Sequence, residues 1–312
     1  MSQPVTPCSR ASAALDEPLA ATAAVAPTWL LIEQAGPWGA KALRSSHLDP
    51  EVGRTLERLT EGTGVRTALI RRPGRHADLH RPTRHRVVLA HTAPHAPWIR
   101  TAWLDDPAEL AALDFAALGA GAHGGFGDPY EGPPVALVCT NGRRDRCCAV
   151  QGRPLADELA RSGGNEVWEV THLGGHRFAP TMLVLPHGYA YGRVEGHHAK
   201  DVLEAIGAGR VVLTGCRGRS AWERPGQAAD LAVRELTGEE RADALAVGPA
   251  EPRVEDGWTV PVSHRDGRAW RVAVVRSAAQ PPRPESCGAA LGTPARMEVT
   301  GIEPVAGAAR RA

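Results

Sequence analysis

Four residues have the types and spacing of a metal centre. Cys139 ends an apolar run, Val135 to Cys139 (VALVC), and Cys148 follows it after eight intervening residues. His172 and His176 are separated by three residues and follow the run Glu166 to Thr171 (EVWEVT). Thiolates and neutral imidazoles are the usual protein ligands of soft and borderline metals. Gly174 and Gly175 lie between the histidines, and glycine permits a turn that points both rings the same way. Each residue also has an ordinary reading. A buried cysteine is usually an inert small hydrophobe, and a single histidine is usually a hydrogen-bonded core or surface group. Four such residues on two strand-end loops are harder to dismiss. Spacing alone makes Cys₂His₂ zinc the first candidate, although zinc fingers place only two to four residues between their cysteines. A wider loop suits a larger object, such as the two-iron cluster of a Rieske centre, where two His and two Cys are the ligands.

These residues must be positioned by the elements around them. At 312 residues and 33.0 kDa, the chain has the length of two domains with a smaller third piece. Residues 1–27 are Ala/Pro/Thr-rich and read as an extension that hugs the surface or frays. Residues 28–118 read as a first lobe. Thr28 to Glu33 is a strand, and Pro50 to Glu61 is a helix capped by Asp49. Val65 to Ile70, His85 to Ala90 and Trp98 to Leu104 are strands, and a helix capped by Asp105 or Asp106 runs through Leu118. The Gly/Pro-rich stretch 119–134 breaks the pattern and reads as a linker. Residues 135–216 repeat the order: strand Val135–Cys139, helix Arg153–Arg161, strands Glu166–Thr171, Met182–Pro186 and Ala190–Val194, and helix Ala199–Ile206. Both halves therefore read β-α-β-β-β-α, the outline of a thioredoxin-like fold, and the fold class is α/β. Residues 217–290 add a helix (Pro225–Leu236) and a hairpin around Asp266-Gly267, and residues 291–312 read as a tail.

Composition narrows the function. Hydrophobic residues are 43% and charged residues 23% of the chain, which suits a globular protein rather than a disordered one. No apolar run approaches the roughly 18–20 residues of a membrane span, so no membrane association is expected. The 36 basic residues nearly balance the 35 acidic ones, which removes the main argument for a nucleic-acid partner. The first thirty residues do not read as a signal peptide, because Asp16 and Glu17 interrupt the apolar stretch, and a cytoplasmic location is expected. In a reducing compartment the six cysteines, Cys8, Cys139, Cys147, Cys148, Cys216 and Cys287, point to metal or redox chemistry rather than to disulfides.

The run CTNGRRDRCCAVQGRPLADEL, followed by WEVTHLGGHRFAPTMLVLP and GYAYGRV, resembles the sucrase/ferredoxin-like family, a branch of the thioredoxin-like [2Fe–2S] ferredoxins. The segments CSRASAALDEPLAATA, WLLIEQAGPWG, WRVAVV and PESCG add to the resemblance, which spans most of residues 8–290. It implies a [2Fe–2S] cluster bound by Cys139, Cys148, His172 and His176. Of the adjacent cysteines, family spacing favours Cys148, with Cys147 as the alternative. Cys216 is read as an inert substitution, and Cys287 as part of a turn that folds back towards the cluster or towards Cys8. The family name does not imply sugar hydrolysis, since no motif points to the pair of carboxylates a glycosidase needs.

A cluster in which two neutral imidazoles replace thiolates carries less negative charge and accepts an electron more readily. The second nitrogen of each ring should couple that electron to a proton near neutral pH. Arg144 and Arg177 are candidates for tuning the site or docking an acidic partner, together with Arg143 and Arg146, which otherwise make a solvated loop. The Arg/His-dense stretch Arg71 to Arg86 reads as an exposed hairpin edge or a docking patch, and His197-His198 as the first turn of a helix. The expected function is an electron carrier with unidentified donor and acceptor proteins, rather than a substrate-converting enzyme. The alternatives are a structural zinc protein using the same four residues and a thiol redox protein using Cys147 or Cys148.

Overall fold

A computed structural model describes residues 6–74, 83–253 and 256–305. A short helix, α1 (Cys8–Ala14), precedes β1 (Thr28–Glu33), α2 (Pro50–Thr60), β2 (Val65–Arg71), β3 (His85–His91) and β4 (Trp98–Leu104). A 3-10 helix (Pro107–Ala112) and α3 (Phe115–Gly119) close the first half. After the two-residue strand β5 (Asp128–Pro129), the second half repeats the order with β6 (Val135–Cys139), α4 (Arg146–Ser162), β7 (Glu166–Val170), β8 (Thr181–Leu185), β9 (Tyr189–Gly192) and α5 (Gly196–Gly207).

The repeat extends to the pairing. In each half the first strand lies parallel to the second and antiparallel to the third, which pairs with the fourth. The parallel pairs are joined through α2 and α4, as parallel strands require a crossover. β1 and β6 are buried along their whole length, as central strands covered on both faces must be. Their alternate residues serve different cores. Ala136 and Val138 pack under α4 and α5, while Val135, Leu137 and Cys139 join Trp29, Leu31, Trp168 and Val170 in a core shared by both halves.

The halves expected as separate lobes are parts of one ten-stranded sheet. They meet where β2 pairs antiparallel with β7, Ile70 opposite Val170 and Arg71 opposite Glu169. The Gly/Pro-rich stretch returns the chain past the far edge, where β5 pairs with β4, and then back to the centre. The second helix expected in the first half is divided in two. Asp106 caps the 3-10 helix in a capping box, Leu113 is extended, and Asp114 caps α3 anew. A second capping carboxylate offers the backbone an alternative to one continuous helix.

The remainder of the chain is β10 (Cys216–Arg219), α6 (Arg224–Thr237), β11 (Leu245–Val247), β12 (Glu251–Arg253), β13 (Gly257–His264), β14 (Ala269–Ala278), β15 (Arg283–Pro284), β16 (Leu291–Gly292) and β17 (Ala295–Pro304). β10 pairs with β9 at the edge of the large sheet. Five of the others form a second, antiparallel sheet on which α6 packs Ala228, Ala229 and Val233 against Val260, Val262, Val272 and Val274. The segment expected as a tail contributes β17, paired with β14 from Ala278–Ala295 to Trp270–Pro304. Met297, Val299 and Ile302 supply it with an apolar face against the same core. The expected N-terminal extension is likewise part of the fold: Cys8 and Ser12 of α1 are fully buried. Within the dense stretch from Arg71 to Arg86, residues 75–82 lie outside the described residues. No helix among the described residues is long and apolar enough to cross a membrane.

Candidate metal centre

Parallel pairing builds the site. β6 and β7 run side by side with Cys139 opposite Val170, so both chains leave the sheet at the same edge, Cys139 into one loop and His172 into the next. Clefts at the carboxyl ends of parallel strands are the usual ligand sites of such sheets. α4 begins at Arg146 rather than at the expected Arg153, because Asp145 caps it, accepting the backbone N–H of Cys147 at 2.8 Å. Pro154, a helix-start signal in the sequence, lies inside the helix. Cys147 and Cys148 therefore stand in the first turn of α4, and successive residues on a helix point about 100° apart. Cys148 turns to Cys139 in the shared core, and Cys147 turns to Cys8 and Ala179 in a separate cluster. Gly152, one turn on, lets α4 sit against the end of β6: a Cβ there would fall 2.2 Å from the Cys139 carbonyl oxygen.

The sulfur of Cys139 is hydrogen-bonded by the Cys148 thiol and by His172, with the backbone N–H of Leu173 adding to them; together they hold its pKa well below the ordinary thiol value against burial. Cys148, as the donor to Cys139 and a buried group, is pushed far upward. The rings of His172 and His176 lie 5.7 Å apart, and the Nδ1 atoms of both are buried without a hydrogen-bond partner. Unsatisfied buried acceptors or donors are rare in folded proteins, and two such imidazole nitrogens on a loop that meets two buried cysteines suit a metal. Burial pushes the His176 imidazole below its ordinary value, a shift the Asp145 carboxylate opposes. Asp145 Oδ2 is 3.8 Å from His176 Nε2.

The histidine loop is held from outside. Gly174 and Gly175 both have left-handed backbone, with φ of 78° and 67°. The buried guanidinium of Arg217 donates to the Gly174 carbonyl at 3.0 Å, and Arg66 donates to the His172 carbonyl at 3.1 Å. Of the tuning candidates, Arg144 is exposed. Arg177 is buried and ion-paired with Glu17 at 2.9 Å and Glu285 at 3.2 Å, so its charge is already neutralised. His197 and His198 sit in the first turn of α5, and Cys216 is buried in a hydrophobic core.

A second group emerges that spacing in the sequence does not reveal. Among the described residues, the set of three or more His, Cys, Asp or Glu whose ligand atoms lie within 4.8 Å of one another is Cys8, Asp145, Cys147 and Cys287. The four residues of the first site are neighbours without closing to that spacing. Cys8 and Cys287 come from opposite ends of the chain; of the two directions expected for the Cys287 turn, the structure places it at Cys8, with the sulfurs 3.6 Å apart.

A family model described as sucrase/ferredoxin-like matches residues 19–218, and the chain belongs to that family. The matched region contains Cys139, Cys148, His172 and His176 and excludes Cys8 and Cys287. No curated protein matches the chain, and no solved structure does.

Proposed function

We propose that this member of the sucrase/ferredoxin-like family is an electron carrier whose one [2Fe–2S] cluster is held by Cys139, Cys148, His172 and His176. One observation carries the reading: two buried imidazole nitrogens without hydrogen-bond partners belong to the loop that meets the hydrogen-bonded Cys139–Cys148 pair. Two sulfur and two nitrogen donors suit such a cluster, and their spread, wider than that of the second group, favours a two-iron object over a single ion. When bound there, the cluster supplies one-electron storage at a potential raised by the neutral imidazoles.

The residues of the chain do the rest. Nδ1 of each histidine offers a lone pair, which leaves Nε2 to hold a proton. Asp145 faces Nε2 of His176 and favours that tautomer, the role carboxylates commonly play behind metal-bound histidine. Arg66 and Arg217 hold the loop carbonyls, so the rings keep their orientation as charge changes. A cleft of about 610 Å³ that reaches His172 is lined by Lys41, Arg44, Arg54, Arg58 and Arg66 against Glu57 and Glu61, with Arg44 paired to Glu57, and its net positive charge suits an acidic redox partner.

The test is a visible and EPR spectrum of freshly purified protein, before and after dithionite, with metal analysis of the same sample. Absorption between roughly 400 and 600 nm, iron near two per chain and a rhombic low-g signal on reduction support the carrier. A colourless protein with zinc bound by these same four residues would replace it with a structural zinc module. The thiol redox reading has less support, because Cys147 and Cys148 face different clusters.

A further inference from the structure

We propose that Cys8, Cys147, Cys287 and Asp145 form a second metal site, which binds one zinc ion in a tetrahedral S₃O set and ties both ends of the chain to the N-terminus of α4. The proposal does not depend on what occupies the first site.

The geometry is that of a single ion's ligand shell. Cys8 Sγ lies 3.7 Å from Cys147 Sγ and 3.6 Å from Cys287 Sγ, and Cys147 and Cys287 are 3.2 Å apart. Asp145 approaches Cys8 Sγ at 3.7 Å through Oδ2 and at 3.8 Å through Oδ1. Zn–S bonds of about 2.3 Å and a Zn–O bond of about 2.0 Å place tetrahedral S···S edges near about 3.8 Å and S···O edges near about 3.5 Å. The two edges from Cys8 to the other sulfurs and its edge to Asp145 fall near those values, and the Cys147–Cys287 edge is shorter than the ideal. A disulfide between Cys147 and Cys287 would account for two of the sulfurs, but not for the fully buried Cys8 thiol or for a carboxylate held against it.

The surroundings complete a metal site. Asp145 is fixed by two backbone donors, Cys147 N–H to Oδ1 and Cys287 N–H to Oδ2, each at 2.8 Å. Ser9 donates to Cys147 Sγ at 3.2 Å and is itself held by Gln151 at 2.8 Å. Cys147 lies in the first turn of a 17-residue helix, where backbone N–H groups and the helix dipole favour a thiolate. A cleft of about 540 Å³, lined in part by Arg10, Arg146 and Gln151, opens onto Cys147 and Cys287 and gives an ion a way in. Three thiolates and a carboxylate suit zinc better than the all-oxygen cations. With no position left open, the role is structural. Each thiol that ligates gives its proton to solvent.

The experiment uses full-length protein expressed in medium supplemented with zinc sulfate and iron, with metal analysis and zinc-edge X-ray absorption on the purified wild type. The expected result is one zinc per chain with three sulfur neighbours and one oxygen. Cys8→Ser and Cys287→Ser should each lower zinc at least tenfold and leave the iron content and visible spectrum unchanged. Cys139→Ser should do the reverse. Zinc with two sulfur and two nitrogen neighbours, lost in Cys139→Ser, would overturn the proposal and also move zinc into the first site. Zinc-free protein with two thiols fewer than the sequence contains would overturn it in favour of a Cys147–Cys287 disulfide. The absorption experiment on the wild type does not depend on whether any variant folds.

Discussion

Asp145 Oδ2 lies 3.8 Å from Nε2 of His176, and the same carboxylate faces Cys8. One side chain therefore stands between the two proposed metal sites. Burial would raise its pKa, but the backbone N–H groups of Cys287 and Cys147, with His176, hold it below the ordinary carboxylate value. It remains an anion wherever histidine titrates.

This gives the pH dependence a sign. If the oxidised centre loses the Nε2 proton of His176 at higher pH and reduction restores it, the midpoint potential falls as pH rises through that range. The Asp145 charge favours a proton on His176 against burial, so Asp145→Asn, which also removes the oxygen ligand of the proposed zinc site, should move the break in potential to lower pH. Asparagine can still cap α4. A potential that stays flat between about pH 6 and 10 in the wild type would refute proton coupling.

The histidine loop tolerates no side chain at Gly175. Its φ is +67°, and a Cβ would fall 2.1 Å from a guanidinium nitrogen of Arg217. That nitrogen ends a flexible side chain, but Arg217 is fully buried and bonded to Gly174 and Thr22, so it has little room to yield. Gly175→Ala should leave the far-ultraviolet spectrum intact and lower bound iron several-fold. Full iron content in that variant would show that the loop does not need this geometry.

The junction between the halves rests on a buried ion pair. Arg71 meets Glu169 at 2.6 Å, and Thr140 donates to the same carboxylate oxygen at 2.7 Å. Arg71→Ala leaves Glu169 buried without its main counter-charge, which should cost about 3–5 kcal/mol in urea unfolding. Replacing both residues with methionine should recover much of that loss. Equal destabilisation by the single and double variants would mean that packing, rather than charge, governs the junction.

In the C-terminal sheet, His264 contacts Glu239 Oε2 at 2.6 Å and Asp266 Oδ1 at 2.7 Å. Burial alone would raise the pKa of Glu239, but the His264 hydrogen bond and the Arg241 backbone N–H hold it below the ordinary value. A depressed carboxylate stabilises the fold above its unfolded pKa and loses that contribution as pH falls through its folded value. His264→Ala should therefore cost about 1 kcal/mol at pH 7, and the difference from the wild type should shrink below about pH 4. A thermal-unfolding difference independent of pH between about 3 and 7 would show that packing alone is lost.

Much of the fold was legible locally. Asp49 before Pro50 caps α2 as capping chemistry requires, and the apolar runs of β1, β2, β6 and β7 are strands where their residues place them. Cys139, His172 and His176 stood out as candidates because each follows a strand, and Cys148 was preferred to Cys147 only through the family resemblance. Tertiary structure alone decided the rest. Periodicity says which residues are buried, but not that the edges of β2 and β7 complement each other, because that pairing joins residues 70 and 170 through only two contacts in register. The direction of Cys147 against Cys148 depends on where α4 begins, and the Asp145 cap outweighed the proline signal. The meeting of Cys8, Cys147 and Cys287 spans almost the whole chain. No local rule brings such residues together; it follows from packing α1 and the loop after β15 onto one helix end.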